Sequence, residues 1–118
     1  MSIKQGDIVR ALKADPNGVN PKVRPFVILT RNEDIANGEP ITAAAITGTL
    51  PNPLTAEYVE LPWHANGQVK TGLRKRCAAC CDWLDEIRPD EITERIGYLP
   101  GAKLKEIMLR IIQRDQTS

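Results

Sequence analysis

Four basic side chains, Lys70, Arg74, Lys75 and Arg76, crowd into one short stretch of this chain, and a run rich in Asp and Glu, from Asp82 to Glu94, follows at once. Such a cluster can hold phosphate oxygens in a positive groove beside a negative flank, or it can simply be a solvated face. Next to it, Cys77-Ala78-Ala79-Cys80-Cys81 contains a C-x-x-C spacing. A structural zinc site needs four ligands, usually two such pairs, and His64 is the only histidine, so no metal is expected. Trp63 and His64 follow Pro62 in a glycine-containing loop. There the indole can either stack on an unpaired base or fold back onto a core short of aromatics.

Sixteen Lys and Arg against fifteen Asp and Glu leave a formal charge of +1. The protein therefore cannot grip nucleic acid as a polycation, and any such binding must be local. A length of 118 residues fits one domain spanning 1–118. No apolar run is long enough for a membrane helix, the start Met1-Ser2-Ile3-Lys4 has no signal-peptide pattern, and three closely spaced cysteines cannot make a disulfide framework. A soluble, cytoplasmic protein without a cofactor is expected.

The elements that must position these groups are mostly strands. Gly6–Leu12 reads as an opening strand after a turn-forming Gly-Asp pair. Asp15-Pro16-Asn17-Gly18 and Asn20-Pro21 make a loop that lasts to Arg24-Pro25. Phe26-Val27-Ile28-Leu29-Thr30 is an unbroken apolar run, expected as a central strand buried on both faces. After the Asn37-Gly38 turn, Ile41–Thr47 reads as a third strand, Tyr58–Leu61 as a fourth and Leu73–Leu84 as a longer fifth. In that fifth strand Cys80, Asp82 and Leu84 would share one face, leaving Cys77, Ala79, Cys81 and Trp83 on the other, with Cys81 free to be core. Glu91–Ile96 is open between a short strand and a helical turn. Leu104, Ile107, Met108, Ile111 and Ile112 recur at helical spacing, with Lys103, Lys105, Glu106, Arg110 and Arg114 opposite, so an amphipathic helix over about 101–114 packs on the strands and residues 115–118 fray. The fold expected is mainly β, a partly open barrel capped by one helix.

Five segments occur in order along the chain: Gly6-Asp7-Ile8-Val9, Val23-Arg24-Pro25-Phe26-Val27-Ile28-Leu29, Ala45-Ile46-Thr47, Cys81-Asp82 and Ile96-Gly97-Tyr98-Leu99. Together they resemble the MazF/PemK family, which includes the Kid toxin. The resemblance implies a Src-homology-3-like barrel of the plasmid-maintenance toxin type. It also implies a homodimeric toxin that cleaves single-stranded RNA at short sequences, inhibits translation and growth, and is neutralised by a cognate antitoxin. On this resemblance Arg24 contacts the scissile phosphate, Thr47 ends the third strand at the site, and Asp82 is the proposed general base.

Metal-free RNA cleavage through a 2′,3′-cyclic phosphate needs a base for the 2′-hydroxyl, a cation on the phosphorane and a donor for the leaving oxygen. The guanidinium of Arg24 suits the cation and is a poor acid, because it keeps its proton. Thr47 offers one neutral hydrogen bond, and Asp82 would need a raised pKa. Each also has a plainer reading: Arg24 covers a barrel end, Thr47 terminates a strand, Asp82 pairs with a nearby base. RNA contacts are expected from Asn20, Lys22, Trp63, His64, Lys70, Arg74, Lys75 and Arg76. Three departures from the family stand out. The loop reads Asn17-Gly18-Val19-Asn20-Pro21-Lys22, Cys80 replaces an arginine for which Arg74 or Arg76 can substitute, and Trp83-Leu84-Asp85 replaces a glutamine-led continuation. Two other functions compete: a non-catalytic barrel binding RNA or an antitoxin peptide, and a gyrase-poisoning toxin of the CcdB type.

Overall fold

The structure, a computed structural model, describes residues 2–14 and 17–117, the last three without side chains. Asp15-Pro16, the first half of one expected turn, and Ser118 lie outside the described residues. Six antiparallel strands form one sheet in the order β4-β5-β3-β2-β1-β6. They are β1 (Asp7–Lys13), β2 (Lys22–Ile28), β3 (Ile41–Thr47), β4 (Tyr58–Glu60), β5 (Ala78–Ile87) and β6 (Ile92–Tyr98). A five-residue helix α1 (Asn32–Ala36) links β2 to β3, and α2 (Gly101–Thr117) ends the fold. A 3₁₀ turn at Pro89–Glu91 precedes β6, so the undecided stretch is a turn followed by a strand.

Strand β2 lies between β1 and β3, and Phe26, Val27 and Ile28 are fully buried. Its two faces feed two apolar clusters. Val27 and Leu29 join Ile8, Ala44, Ile46 and Ile107 under α2, whereas Phe26 and Ile28 join Val9, Ala11, Ile41, Ala43 and Ile87 on the other side. The sheet curls strongly enough that Lys13, at the end of β1, reaches the Glu86 carbonyl of β5 with its Nζ at 2.9 Å, across the width of two intervening strands. Asp7 is buried and answers Arg95 of β6 at 3.1 Å while accepting from the Lys4 amide, which fastens the edge strand to β1.

Several boundaries differ from those read in the sequence. β2 starts at Lys22, because Arg24-Pro25 is already extended and pairs with β1 through Ala11↔Arg24 and Arg10↔Pro25. β5 begins at Ala78 rather than Leu73, since Leu73–Arg76 belong to the loop before it. Face alternation in β5 also fails. Ala44 pairs with Leu84 but Ala45 pairs with Cys80, so Cys81, Asp82 and Trp83 bulge out of register. Ala78, Ala79, Cys80 and Cys81 are consequently all buried, not Cys81 and its alternates alone. Helix α2 runs on to Thr117. Within it Ile107 is fully buried, Ile112 is 48% exposed, and Arg110, expected on the solvent side, donates to the carbonyls of Ala56 (2.8 Å) and Tyr58 (3.3 Å).

The loop from β4 to β5 spans the two edges of the sheet. Its Lys70 carbonyl accepts from the Tyr98 amide of β6 at 2.9 Å. Gly72, at φ +70, and Gly97 lie so close to the opposing backbone that a Cβ on either would run into main-chain atoms of Ile96 or of Lys70 and Thr71. Gly97→Ala is therefore expected to lower stability by about 1–3 kcal/mol, the usual cost of forcing atoms into a packed contact. Urea unfolding followed by circular dichroism checks this, and an unchanged midpoint would refute the close approach.

Candidate nucleic-acid interface

The site grows out of a break in the β2–β3 ladder. The Leu29 amide donates to the Thr42 carbonyl at 2.8 Å, so the odd-numbered residues of β2 direct their backbone groups towards β3. Pro25 is the next of that set before Val27 in the chain, and it has no N–H to give. Pairing with β3 accordingly stops at Phe26↔Ala45. Continued two residues further, the same register sets Arg24 level with Thr47, but there the strands part. A cavity of 670 Å³ opens between them, with Arg24, Thr47, Lys75 and Trp83 among its walls.

Arg24 is clamped on three sides. Its Nε donates to the Lys13 carbonyl at 3.2 Å, its Nη2 donates to the Asn20 carbonyl at 2.8 Å, and its Cζ lies 5.2 Å from the Trp83 ring centroid. Asn20 adopts φ +55, which is how the loop turns its carbonyl towards the guanidinium. Thr47 is half-buried, and its Oγ1 accepts from the Thr49 amide at 3.1 Å, leaving the hydroxyl proton to donate elsewhere. Lys75 lies over Gly48, where a Cβ would meet its Cε at 3.2 Å. No carboxylate lines this cavity among the described residues, whereas five cations do: Arg10, Lys22, Arg24, Arg74 and Lys75. Of these, among the described residues, Arg10 alone forms an ion pair, with Glu94 at 2.9 Å outside the cavity walls.

The expected site residues divide accordingly. Lys22, Arg24, Thr47, Arg74 and Lys75 come together at the cavity, and Asn20 joins them through its carbonyl. Asp82 does not. It is 43% exposed, forms an ion pair with Arg114 of α2, and opens on a neighbouring cavity of 390 Å³ beyond Trp83. Arg76 pairs with Glu60 at 3.1 Å, away from the cavity walls. Trp63 is 43% exposed and so is not folded into the core, yet neither it nor His64 nor Lys70 lines the cavity. The His64 Nδ1 accepts from the Asn66 amide at 3.3 Å. All three thiols are buried and shifted upward chiefly by that burial, Cys81 to about 11. Among the described residues no three potential ligands gather for a metal ion.

Trp83 and Arg10 were not among the expected site residues. The signal for Trp83 was its place directly after Asp82, in a position where the resemblance calls for glutamine.

Lys13, whose carbonyl helps to hold Arg24, is itself held by Glu91 at 3.4 Å and by Asp85 at 3.6 Å. The Arg88 amide, donating at 2.8 Å, and then Lys13 keep the Glu91 carboxyl below the usual carboxylate range. A carboxyl lowered in the folded state stabilises above its unfolded pKa, about 4.3, and loses that contribution as pH falls through the folded value. Glu91→Gln is expected to lower the thermal midpoint at pH 7, with the gap from the parent shrinking as pH drops below about 4. A gap that stays constant with pH would contradict the charge-based account.

No protein-family model matches the chain, and no curated protein matches its sequence. Solved structures do match its shape. The MazE–MazF complex of Deinococcus radiodurans is 17% identical, aligns over 100% of both chains and gives a TM-score of 0.72. An endoribonuclease from a mycobacterial species, solved with its cognate antitoxin, is 14% identical over 98% of this chain and 97% of its own, also at 0.72. A MazF toxin of Mycobacterium tuberculosis is 24% identical over 92% of this chain and 96% of its own, at 0.65. At these identities the likeness is one of fold. The chain is mainly β, a curled antiparallel sheet with a C-terminal helix, and has the fold of the MazF toxins.

Proposed function

We propose that this protein is a toxin endoribonuclease that cuts single-stranded RNA, and that the cavity between the parted ends of β2 and β3 is where the scissile phosphate sits. The observation that carries this reading is the lining. In a chain of net charge +1, five cations and a threonine hydroxyl gather with no carboxylate among the described walls. A phosphodiester is the ligand chemistry this matches. The fold shared with MazF endoribonucleases supports a ribonuclease over a gyrase-poisoning toxin. The neighbours solved with antitoxins support a cognate antitoxin as the partner, and a homodimer is what the family resemblance implies. Exposed Leu109 and Ile112 on α2 offer apolar surface for such contacts.

In this reading Arg24 and Lys75 hold the non-bridging oxygens and balance the charge that builds as the 2′-oxygen attacks, while the Thr47 hydroxyl donates to the same phosphate. The 2′-oxygen displaces the 5′-oxygen, giving a 2′,3′-cyclic phosphate and a 5′-hydroxyl without a metal or cofactor. The proton of the 2′-hydroxyl passes to solvent hydroxide, because no imidazole or carboxylate stands in the described walls and Asp82 is engaged with Arg114 behind Trp83. Sequence selectivity falls to the rest of the groove, with Lys22 and Arg74 on the flanking phosphates.

Arg24→Ala is expected to reduce the cleavage rate of a single-stranded RNA by about 100-fold or more, the scale seen when a donor to the developing charge is removed. Asp82→Asn should stay within about twofold of the parent, as an exposed surface substitution does. The rate should rise by about tenfold per pH unit through neutrality, as hydroxide does. Loss of activity in Asp82→Asn, with a parent profile flat above about pH 5, would transfer the base role to Asp82. Retained binding with no cleavage at any pH would favour the non-catalytic barrel.

A further inference from the structure

The indole of Trp83 occupies a place that the phosphate chemistry alone does not explain. It sits at the end of the three-residue bulge in β5, half-buried, with its inner part packed against the cluster of Val9, Ala11, Phe26 and Ile28. It forms the partition between the cationic cavity and the neighbouring cavity that holds Asp82 and Asp85. The Arg24 guanidinium lies over its ring.

We propose that Trp83 is the positioning residue for Arg24, fixing the plane of the guanidinium so that its free edge faces the RNA phosphate; the inference rests on the nucleic-acid reading of the cavity. A guanidinium has five N–H donors. Two are spent on the Lys13 and Asn20 carbonyls, which fix two points of the group but leave it free to rock about the line joining them. A ring on one face removes that last freedom. Three N–H groups remain, two on Nη1 and one on Nη2, and one from each nitrogen forms the free outer edge of the group. The bulge is what brings the ring there: with β5 in regular register, no extra residue would reach over the parted ends of β2 and β3. Trp83 touches no phosphate in this account and acts only through Arg24.

The test is a double-mutant cycle on affinity for a ten-nucleotide single strand made uncleavable by 2′-O-methylation. With Arg24 present, Trp83→Leu should weaken binding by about tenfold, and Trp83→Phe, which keeps a ring face, by about threefold or less. With Arg24→Ala, neither change at position 83 should matter beyond about twofold, because the group being positioned is gone. Equal losses in both backgrounds would overturn the proposal and leave Trp83 as packing only. If Trp83→Leu does not fold, Trp63→Phe leaves Trp83 as the sole indole. Its emission should then shift when the oligonucleotide saturates the protein and should stay fixed in the Arg24→Ala version, whereas a signal indifferent to Arg24 overturns the proposal. A parent protein that binds the strand but cuts no RNA defeats the nuclease reading while the cycle still decides Trp83; one that binds no strand defeats both.

Discussion

A missing hydrogen-bond donor organises this molecule. Odd-numbered residues of β2 aim their amides at β3, and at Pro25 there is no amide to aim. Central and doubly buried over Phe26–Ile28, the strand has only one neighbour before that point, since Arg10 and Ala11 of β1 pair with Pro25 and Arg24 while β3 does not. The sheet opens on one side only. The opening puts an arginine, held on its backbone side, opposite the threonine that ends β3, and every other feature of the site either widens this gap or furnishes its walls.

The electrostatics follow from the same geometry. The chain as a whole is nearly neutral, so no general field draws a polyanion to it. Instead the acidic groups are drawn into local work elsewhere. Glu91 and Asp85 serve Lys13, Glu60 serves Arg76, Asp82 serves Arg114, and Asp7 serves Arg95. What is left at the cavity is positive. The closing loop, pinned to β6 through the contact of Gly72 and Gly97 with the opposing backbone, delivers Arg74 and Lys75 to that positive side. The positive character of the cavity is thus a matter of where carboxylates are spent as much as of where cations are placed.

Much of this was legible in the residues, and the parts that were not share a cause. Ile41–Thr47 is bounded by a turn and a glycine, and its limits in the structure are those read from the sequence. The unbroken run after Pro25 marked a central strand because an element buried on both faces has no polar alternation. Arg24 and Thr47 were brought together by an ordered set of motifs, and the strand register explains why those motifs converge. β5 was misplaced because side-chain alternation records a regular pairing, whereas the bulge at Cys81–Trp83 is imposed by β3 and cannot be seen in β5 alone. The same bulge turns Asp82 towards Arg114 of α2 and Trp83 towards Arg24, so one irregularity decides which of the two side chains lines the cationic cavity. Helix α1 escaped notice because five residues are too few to show an apolar period.

The central claim is that the cationic cavity supports RNA cleavage by the 2′-hydroxyl route, and incubation of the purified protein with a long single-stranded RNA in excess EDTA tests it most directly. The account predicts discrete cuts whose upstream fragments end in a 2′,3′-cyclic phosphate and whose downstream fragments begin with a 5′-hydroxyl. Intact RNA across many sequences, or fragments bearing 5′-phosphates, would contradict it.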